Sequence, residues 1–379
     1  MKVVGINASR NRSGGAKAHL IGILKDSDPL AHGINKVHVW SFDALLDELP
    51  NVSWLIKHNP PELERTLVHQ LWWECTSLPK EAERNSCNVL FNTDAGSICG
   101  FRPSVVMSQD MLSFEQEEMK RYGISLGRLR LIALKHIQSR SMRRADGVIF
   151  LTEYAARTVQ KITGKLNSWT IIPHGVGDVF RQTTSGGEWS QEEGAEIRCL
   201  YVSSALPYKH QWNVIRAISH IRDLGHNVSL LLVGGGSGRA QRLLEEEAKR
   251  MDPKGEFVKQ IGFVGHADIP ELLATADLFV FASSCENMPI TLVEAMAGGL
   301  PIASSDRGPM PEVVKDGGGY FDPENPASIA TAIEKIICDK AMRVSVAKKA
   351  KELSRKYSWS KCGSETWNFL RSTIENGCD

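Results

Sequence analysis

Short apolar runs alternate with stretches of helical periodicity through both halves of the chain, and this alternation restricts the fold more than any other feature. Strands that short, separated by helices, cannot pair as hairpins and need crossover connections, which means parallel sheets covered by helices. The runs predict strands at Val3–Ile6, Val37–Trp40, Val89–Phe91, Val105–Met107, Val148–Leu151 and Thr170–Ile172 in the first half. In the second half they predict Cys199–Val202, Val228–Val233, Phe257–Val264, Leu278–Ala282 and Pro301–Ser304. The class is therefore α/β, with two doubly wound, Rossmann-like domains, and 379 residues suffice for both. The crossing between them is expected near Pro173–Gly177, giving domains 1–175 and 176–356. Arg181–Glu196, rich in Gly, Ser, Thr, Gln and Glu, is expected as a surface segment just past that crossing. In 357–379 the spacing of Trp367, Leu370 and Ile374 predicts a helix. Two such domains facing each other would bring the carboxyl ends of both sheets to one cleft.

The net charge of +1 excludes a globally basic or acidic binding strategy, so any electrostatic function must be local. Eight scattered cysteines without a Cys-x-x-Cys pair argue against a zinc site and against a dense disulfide framework, and fit reduced thiols. Neither a signal peptide nor an apolar run of transmembrane length is visible, so the expectation is a soluble cytoplasmic protein.

The most informative segment runs from Ser283 to Pro301, between two predicted strands, and ends in the helix stop Gly298-Gly299. Its loop sits at a strand's carboxyl end. The helix that follows presents an amino terminus, where backbone N–H groups and the helix dipole favour a diphosphate. Glu286 in the loop can bond sugar hydroxyls, and Glu294 in the first helical turns can accept two hydrogen bonds from a ribose diol. Thr291-x-x-Glu294 also matches a capping box, which requires no ligand.

The pair Glu286 and Glu294 resembles the Glu-x7-Glu signature of the family-four retaining glycosyltransferases. The resemblance extends through Ala295-Met296-Ala297, Gly299-Leu300-Pro301-Ile302-Ala303, Gly308-Pro309-Met310-Pro311-Glu312, Gly317–Gly319 and Asp322-Pro323. It covers about Cys199 to Ile336 well and the first half more thinly. It implies the two-domain GT-B architecture, with acceptor binding in the first domain, nucleotide-sugar binding in the second and the C-terminal helix packed back on the first. It further implies that Glu286 holds the transferred sugar and Glu294 the ribose, with Asn287, Met288, Pro289 and Ile290 lining the donor. No metal and no other cofactor is implied.

Two glycine-rich turns follow predicted strands. Gly14-Gly15 opens the first helix, where missing Cβ atoms let backbone approach a phosphate; in the family this loop faces the donor diphosphate. The second turn, Gly234–Gly238, contributes Gly235 to the donor side. Arg239 stands where Gly-x-Gly-x-x-Gly requires its last glycine, which weighs against a nicotinamide cofactor. A leaving nucleoside diphosphate needs a cation. Tyr201–His210 resembles the family's phosphate-binding strand and loop, but Ser203 and Ser204 replace the first cation and leave Lys209. Gly262-Phe263-Val264-Gly265 resembles the family's base-contacting turn, naming Phe263.

On the first domain, Gln109-Asp110 stands where many family members carry His or His-Asp. Asp110 either orients the acceptor hydroxyl or caps a turn. Gln109 and His174 are the other acceptor-side candidates. Asp26-Ser27-Asp28 has metal-site spacing but trails a helix, which favours a surface loop. Between Lys120 and Arg144 eight cations (Lys120, Arg121, Arg128, Arg130, Lys135, Arg140, Arg143, Arg144) interleave with leucines and isoleucines without one acid. This suits either a helix with a solvated basic face or a dock for an anionic membrane carrying a lipid-linked or polysaccharide acceptor. Nucleic acid is not expected. A hydrolase or epimerase on the same fold, or a silent sugar-nucleotide-binding protein, are the alternatives.

Overall fold

The structure is a computed structural model, and it describes residues 1–12, 14–182, 189 and 194–377. The chain divides into two compact units. Unit 1 comprises Met1–Met119, Gly123–Gly175 and Tyr357–Asp379, and unit 2 comprises Lys120–Tyr122 and Val176–Lys356. Most of the glycine- and glutamate-rich segment Arg181–Glu196 lies outside the described residues.

Unit 1 is built on β1 (Lys2–Asn7), β2 (Ile34–Trp40), β3 (Leu55–His58), β4 (Val89–Asn92), β5 (Ser104–Met107), β6 (Gly147–Phe150) and β7 (Trp169–Ile171). Their order is β3-β2-β1-β4-β5-β6-β7, with parallel pairing throughout. Unit 2 is built on β8 (Ile197–Val202), β9 (Val228–Val233), β10 (Val258–Ile261), β11 (Leu278–Phe281), β12 (Ile302–Ser305) and β13 (Gly319–Phe321), ordered β10-β9-β8-β11-β12-β13 and again parallel. Both sheets are Rossmann-like, as the alternation implies.

The sequence reading misses β3 and β13. Both are edge strands of only three or four residues, and neither carries a continuous apolar run. The strand expected at Phe257–Val264 is shorter than its apolar run. It stops at Ile261, beyond which the Phe263 side chain stands in solvent.

In each sheet the strand order reverses once, between β1 and β4 in unit 1 and between β8 and β11 in unit 2. A crevice opens outside the carboxyl ends of the strands at such a point, and open α/β sheets bind ligands there. The helix Trp359–Asn376 belongs to unit 1 and packs on the helix Gly14–Lys25. Trp367 is fully buried and donates from Nε1 to Ser27 Oγ at 2.7 Å, while Trp359 lies against Gly22, where no Cβ would fit.

Candidate active site

The switch point of unit 2 gathers the strongest sequence candidates. Lys209 leaves the carboxyl end of β8 in the short turn Pro207–Lys209, and Glu286 leaves that of β11. The two loops are stitched together. Ser284 N donates to Tyr208 O at 2.8 Å, Ser284 Oγ and His210 Nε2 share a hydrogen bond of 2.9 Å, and the Tyr201 hydroxyl donates to Lys209 O at 2.7 Å. His210 holds this turn with a left-handed φ of 48°, a conformation unfavourable for a side chain and retained only where neighbours enforce it. The outcome is a largely buried ion pair between Lys209 Nζ and Glu286 Oε1.

Glu294 lies close by in sequence, on the helix Ile290–Gly298. The capping box does not form: Pro289 is the N-cap, no side chain caps the first turn, and Thr291 Oγ1 donates to Val202 O instead. The helix amino terminus therefore keeps its capacity for an anion. Glu294 is only 1% exposed; its Oε1 accepts from His266 Nε2 at 2.6 Å, and its Oε2 is buried without a protein partner. This hydrogen bond holds the His266 imidazolium above the ordinary histidine range. Phe180 packs on the His266 ring at 5.3 Å. Asn287 and Met288 are buried beside the helix entrance, Ile290 is half-buried, and Phe263 is 92% exposed, presenting a bare ring face.

The glycines of 234–238 have a packing role. A Cβ on Gly234 would meet Ser203 O at 2.6 Å and one on Gly236 would meet Ala205 O at 2.7 Å, whereas Gly235 faces open space. In unit 1, Gly14 begins its helix with φ 65° and open surroundings, and Gly15 follows within the first turn.

The switch point of unit 1 holds a second polar cluster. Asn7 Nδ2 donates to Glu74 Oε1 at 2.9 Å and to Asn92 Oδ1 at 3.0 Å. Arg10 bonds Glu74 Oε2 at 2.7 Å and faces Asp94 Oδ1 at 3.7 Å. Gln109 turns its amide inward, donating from Nε2 to Thr93 O at 2.8 Å. Asp110 accepts from Leu112 N at 2.9 Å, so its turn-capping role is realised. Burial raises the Asp94 and Asp110 carboxyls, and the Asp94 charge adds to the rise at Asp110.

Several expectations need correction. His174 does not offer its ring to an acceptor: it is 3% exposed, and its Nδ1 lies 3.1 Å from His19 Nδ1 inside unit 1. Burial depresses both imidazoles, His19 to about 3, so the pair is neutral and structural. Asp26-Ser27-Asp28 is a loop feature as expected: Asp28 caps the turn Pro29–His32, accepting from Leu30 N at 2.9 Å. The eight cations do not form one face. Lys120 and Arg121 belong to unit 2, where Arg121 pairs with Glu324 at 2.7 Å, and Arg143 Nε donates to Thr163 O at 2.9 Å. Along the helix Leu126–Arg144 Leu131 and Met142 are buried, but Leu126 is 85% and Leu129 63% exposed.

The reading missed His266, Arg10, Glu74 and Asp94. Asp94 directly follows β4 at the switch point and was findable there. Nothing local marks His266, which reaches Glu294 across 28 residues of sequence.

Residues 188–353 match the family model "Glycosyl transferases group 1". An uncharacterized glycosyltransferase of Methanocaldococcus jannaschii is 32% identical over 183 residues, 48% of this chain and 46% of that protein. Spore coat protein SA of Bacillus subtilis is 37% identical over 172 residues, 43% of this chain and 45% of that protein. The O-antigen chain mannosyltransferase B of Escherichia coli is 27% identical over 172 residues, 45% of each chain. The matches thus span a little under half the length of these curated relatives. Among solved structures, sucrose-phosphate synthase from Thermosynechococcus elongatus superposes with a TM-score of 0.76 at 16% identity, covering 99% of this chain and 100% of that one. Anabaena HepE in complex with UDP superposes with a TM-score of 0.73 at 21% identity, covering 98% and 100%. The superpositions show the GT-B fold, and the group 1 glycosyltransferase model matches the second of the two units, over residues 188–353.

Proposed function

We propose that this chain is a retaining glycosyltransferase that moves a hexosyl group from a nucleoside diphosphate sugar to an acceptor hydroxyl. The observation that carries this reading is the Glu294 carboxylate, buried with one oxygen bonded to His266 and the other unpartnered, on the helix that follows the loop of the Lys209–Glu286 pair. A ribose diol supplies the missing donors to that carboxylate. On donor arrival Lys209 turns from Glu286 to the diphosphate, and the freed Glu286 accepts from the sugar hydroxyls. The bond from the anomeric carbon to the phosphate oxygen breaks while the acceptor oxygen bonds to the same face. The acceptor proton passes to the departing phosphate oxygen. Lys209 and the amino terminus of Ile290–Gly298 neutralise the leaving group, so the chemical step calls for no metal. Asp110 is the acceptor-side carboxyl, and Phe263 stacks on the base. UDP and GDP are the bases to try first, because HepE is described with UDP and UDP-glucose and a further relative is a GDP-mannose-dependent mannosyltransferase.

The test is calorimetric titration with UDP-glucose and GDP-mannose, with and without Glu294→Gln. Charge-assisted hydrogen bonds contribute about 1.5–3 kcal/mol, so the variant loses roughly ten- to a hundredfold in affinity. Unchanged affinity removes Glu294 from the site, and turnover without acceptor favours a hydrolase.

The acceptor side is proposed to meet an anionic membrane. Leu126, Leu129 and Ile137 stand out from the helix Leu126–Arg144 on the same side as Arg130, Arg140 and Arg144, opposite the buried Leu131, Gln138 and Met142. Exposed apolar residues among cations suit a helix lying in the headgroup layer, where each cation contributes on the order of 1 kcal/mol. This orientation suits a lipid-linked acceptor. Sedimentation with anionic and neutral vesicles tests it. Equal binding to both, or no effect of replacing Leu126 and Leu129 by Ser, leaves the face as ordinary surface.

A further inference from the structure

A third convergent set of side chains lies in unit 2, at the amino-terminal edge of its sheet, while Lys209 and Glu286 leave the carboxyl edge. His226 sits in the turn leading into β9, and Glu334 and Cys338 are one helical turn apart on the helix Pro326–Cys338. A spacing of four puts both on one face of that helix. His226 Nε2 is 3.7 Å from Glu334 Oε1 and 3.9 Å from Cys338 Sγ, and the three ligand atoms all lie within 4.8 Å of one another. Among the described residues no other group of three His, Cys, Asp or Glu side chains converges this closely.

We propose that His226, Glu334 and Cys338 bind a zinc ion that clamps the helix Pro326–Cys338 to the turn before β9. The distances favour an ion over direct bonding. At 3.7 Å the imidazole and carboxylate are too far apart for a good hydrogen bond. A tetrahedral zinc ion with ordinary bonds to nitrogen, oxygen and sulfur sets its ligands about 3.4–3.6 Å from one another. The two separations from His226 therefore need to close by only a few tenths of an ångström, and Glu334 and Cys338, within 4.8 Å of each other, close the third by rotation of their side chains. The donor set is chemically selective: one thiolate, one imidazole and one carboxylate suit zinc, whereas calcium and magnesium call for oxygen alone. A divalent ion against a thiolate and a carboxylate is neutral overall, so the nearby Arg343 does not oppose it. Water from bulk solvent completes the fourth position, since Cys338 is exposed and the His226 and Glu334 side chains are only half-buried. On binding, the Cys338 thiol releases its proton to solvent as the sulfur–zinc bond forms. The clamp is independent of the transferase reading, since none of its ligands belongs to the donor site.

The test uses the whole protein, stripped with a chelator, dialysed and titrated with cobalt(II) as the spectroscopic probe and then with zinc. The expected result is a thiolate-to-cobalt charge-transfer absorption at one equivalent and a zinc-dependent rise in Tm. Cys338→Ser abolishes the absorption and His226→Gln weakens zinc affinity at least about tenfold. Cys75→Ser, altering another exposed thiol, leaves both signals intact. Absence of the charge-transfer band, a zinc shift that survives Cys338→Ser, or a band that disappears with Cys75→Ser overturns the proposal.

Discussion

A carboxylate oxygen without a partner is costly inside a protein, and Glu294 Oε2 is kept in that condition by a helix whose local sequence offers a capping box that never forms. Its other oxygen depends on His266, so the protonation of His266 is linked to folding. The hydrogen bond to Glu294 raises the His266 pKa above its ordinary value near 6.5. The stability this pair contributes is therefore complete below about pH 6.5 and is lost as pH climbs through the raised value. The Tm advantage of the native protein over His266→Gln should be largest near pH 5.5 and shrink by about pH 9. An advantage independent of pH would mean that the imidazolium form has no part in holding Glu294. Lys209 has a kinetic signature instead. If it neutralises the leaving diphosphate, Lys209→Ala lowers kcat by roughly 10²–10³ and affects nucleoside binding far less, because its charge matters most as the bond breaks. A variant that loses nucleoside affinity but keeps kcat would make Lys209 a binding group only.

Elements record a different kind of constraint, and the C-terminal helix is the plainest case. Gly363 on that helix faces Ser27, and a Cβ there would lie 2.0 Å from Ser27 Oγ, the atom that accepts from Trp367 Nε1. Gly363→Ala forces Ser27 aside and breaks that hydrogen bond, at a cost of about 1–3 kcal/mol. Urea denaturation followed by tryptophan fluorescence reads it, and unchanged stability would show that the helix shifts freely. The helix was legible from Trp367, Leu370 and Ile374 and its packing on the first domain from the family resemblance, but the fit of Gly363 against Ser27 was not. The same division holds elsewhere. Glu286 and Glu294 could be found because their signal is a local spacing between a strand and a helix stop. His266, Arg10 and Glu74 could not, because only the crossovers of each sheet bring them to their partners. The helix Leu126–Arg144 was readable as amphipathic, but which side packs on the sheet depends on neighbours that no periodicity encodes. Edge strands β3 and β13 escaped because each is only three or four residues long and carries no continuous apolar run.

At the scale of the whole molecule, the chain builds unit 1 from its beginning and its end and unit 2 from one nearly continuous stretch between them. The last segment of unit 1 is thus covalently remote from the rest of its core. It carries Trp359, Cys362, Trp367, Leu370 and Ile374, all buried, and each large apolar side chain contributes about 1.5–3 kcal/mol on burial. Together they amount to on the order of 10 kcal/mol, comparable with the whole stability of a domain. Removing the helix also uncovers His19 and His174, which lie against Trp359 and are held neutral by burial. Lys209, Glu286, Glu294 and His266 all belong to unit 2, with a core of its own around Tyr201, Phe279, Phe281 and Phe321. A chain ending at Lys356 should therefore lose the cooperative unfolding of unit 1 and expose apolar surface that binds a hydrophobic dye. It should still bind nucleoside diphosphate within a few-fold of the native affinity, while transfer to an acceptor disappears. Scanning calorimetry with and without the nucleotide reads both halves of this expectation. A nucleotide-dependent rise in Tm confined to the surviving transition supports two separately folded units. Loss of nucleotide binding together with unit 1 would show that the donor site depends on both.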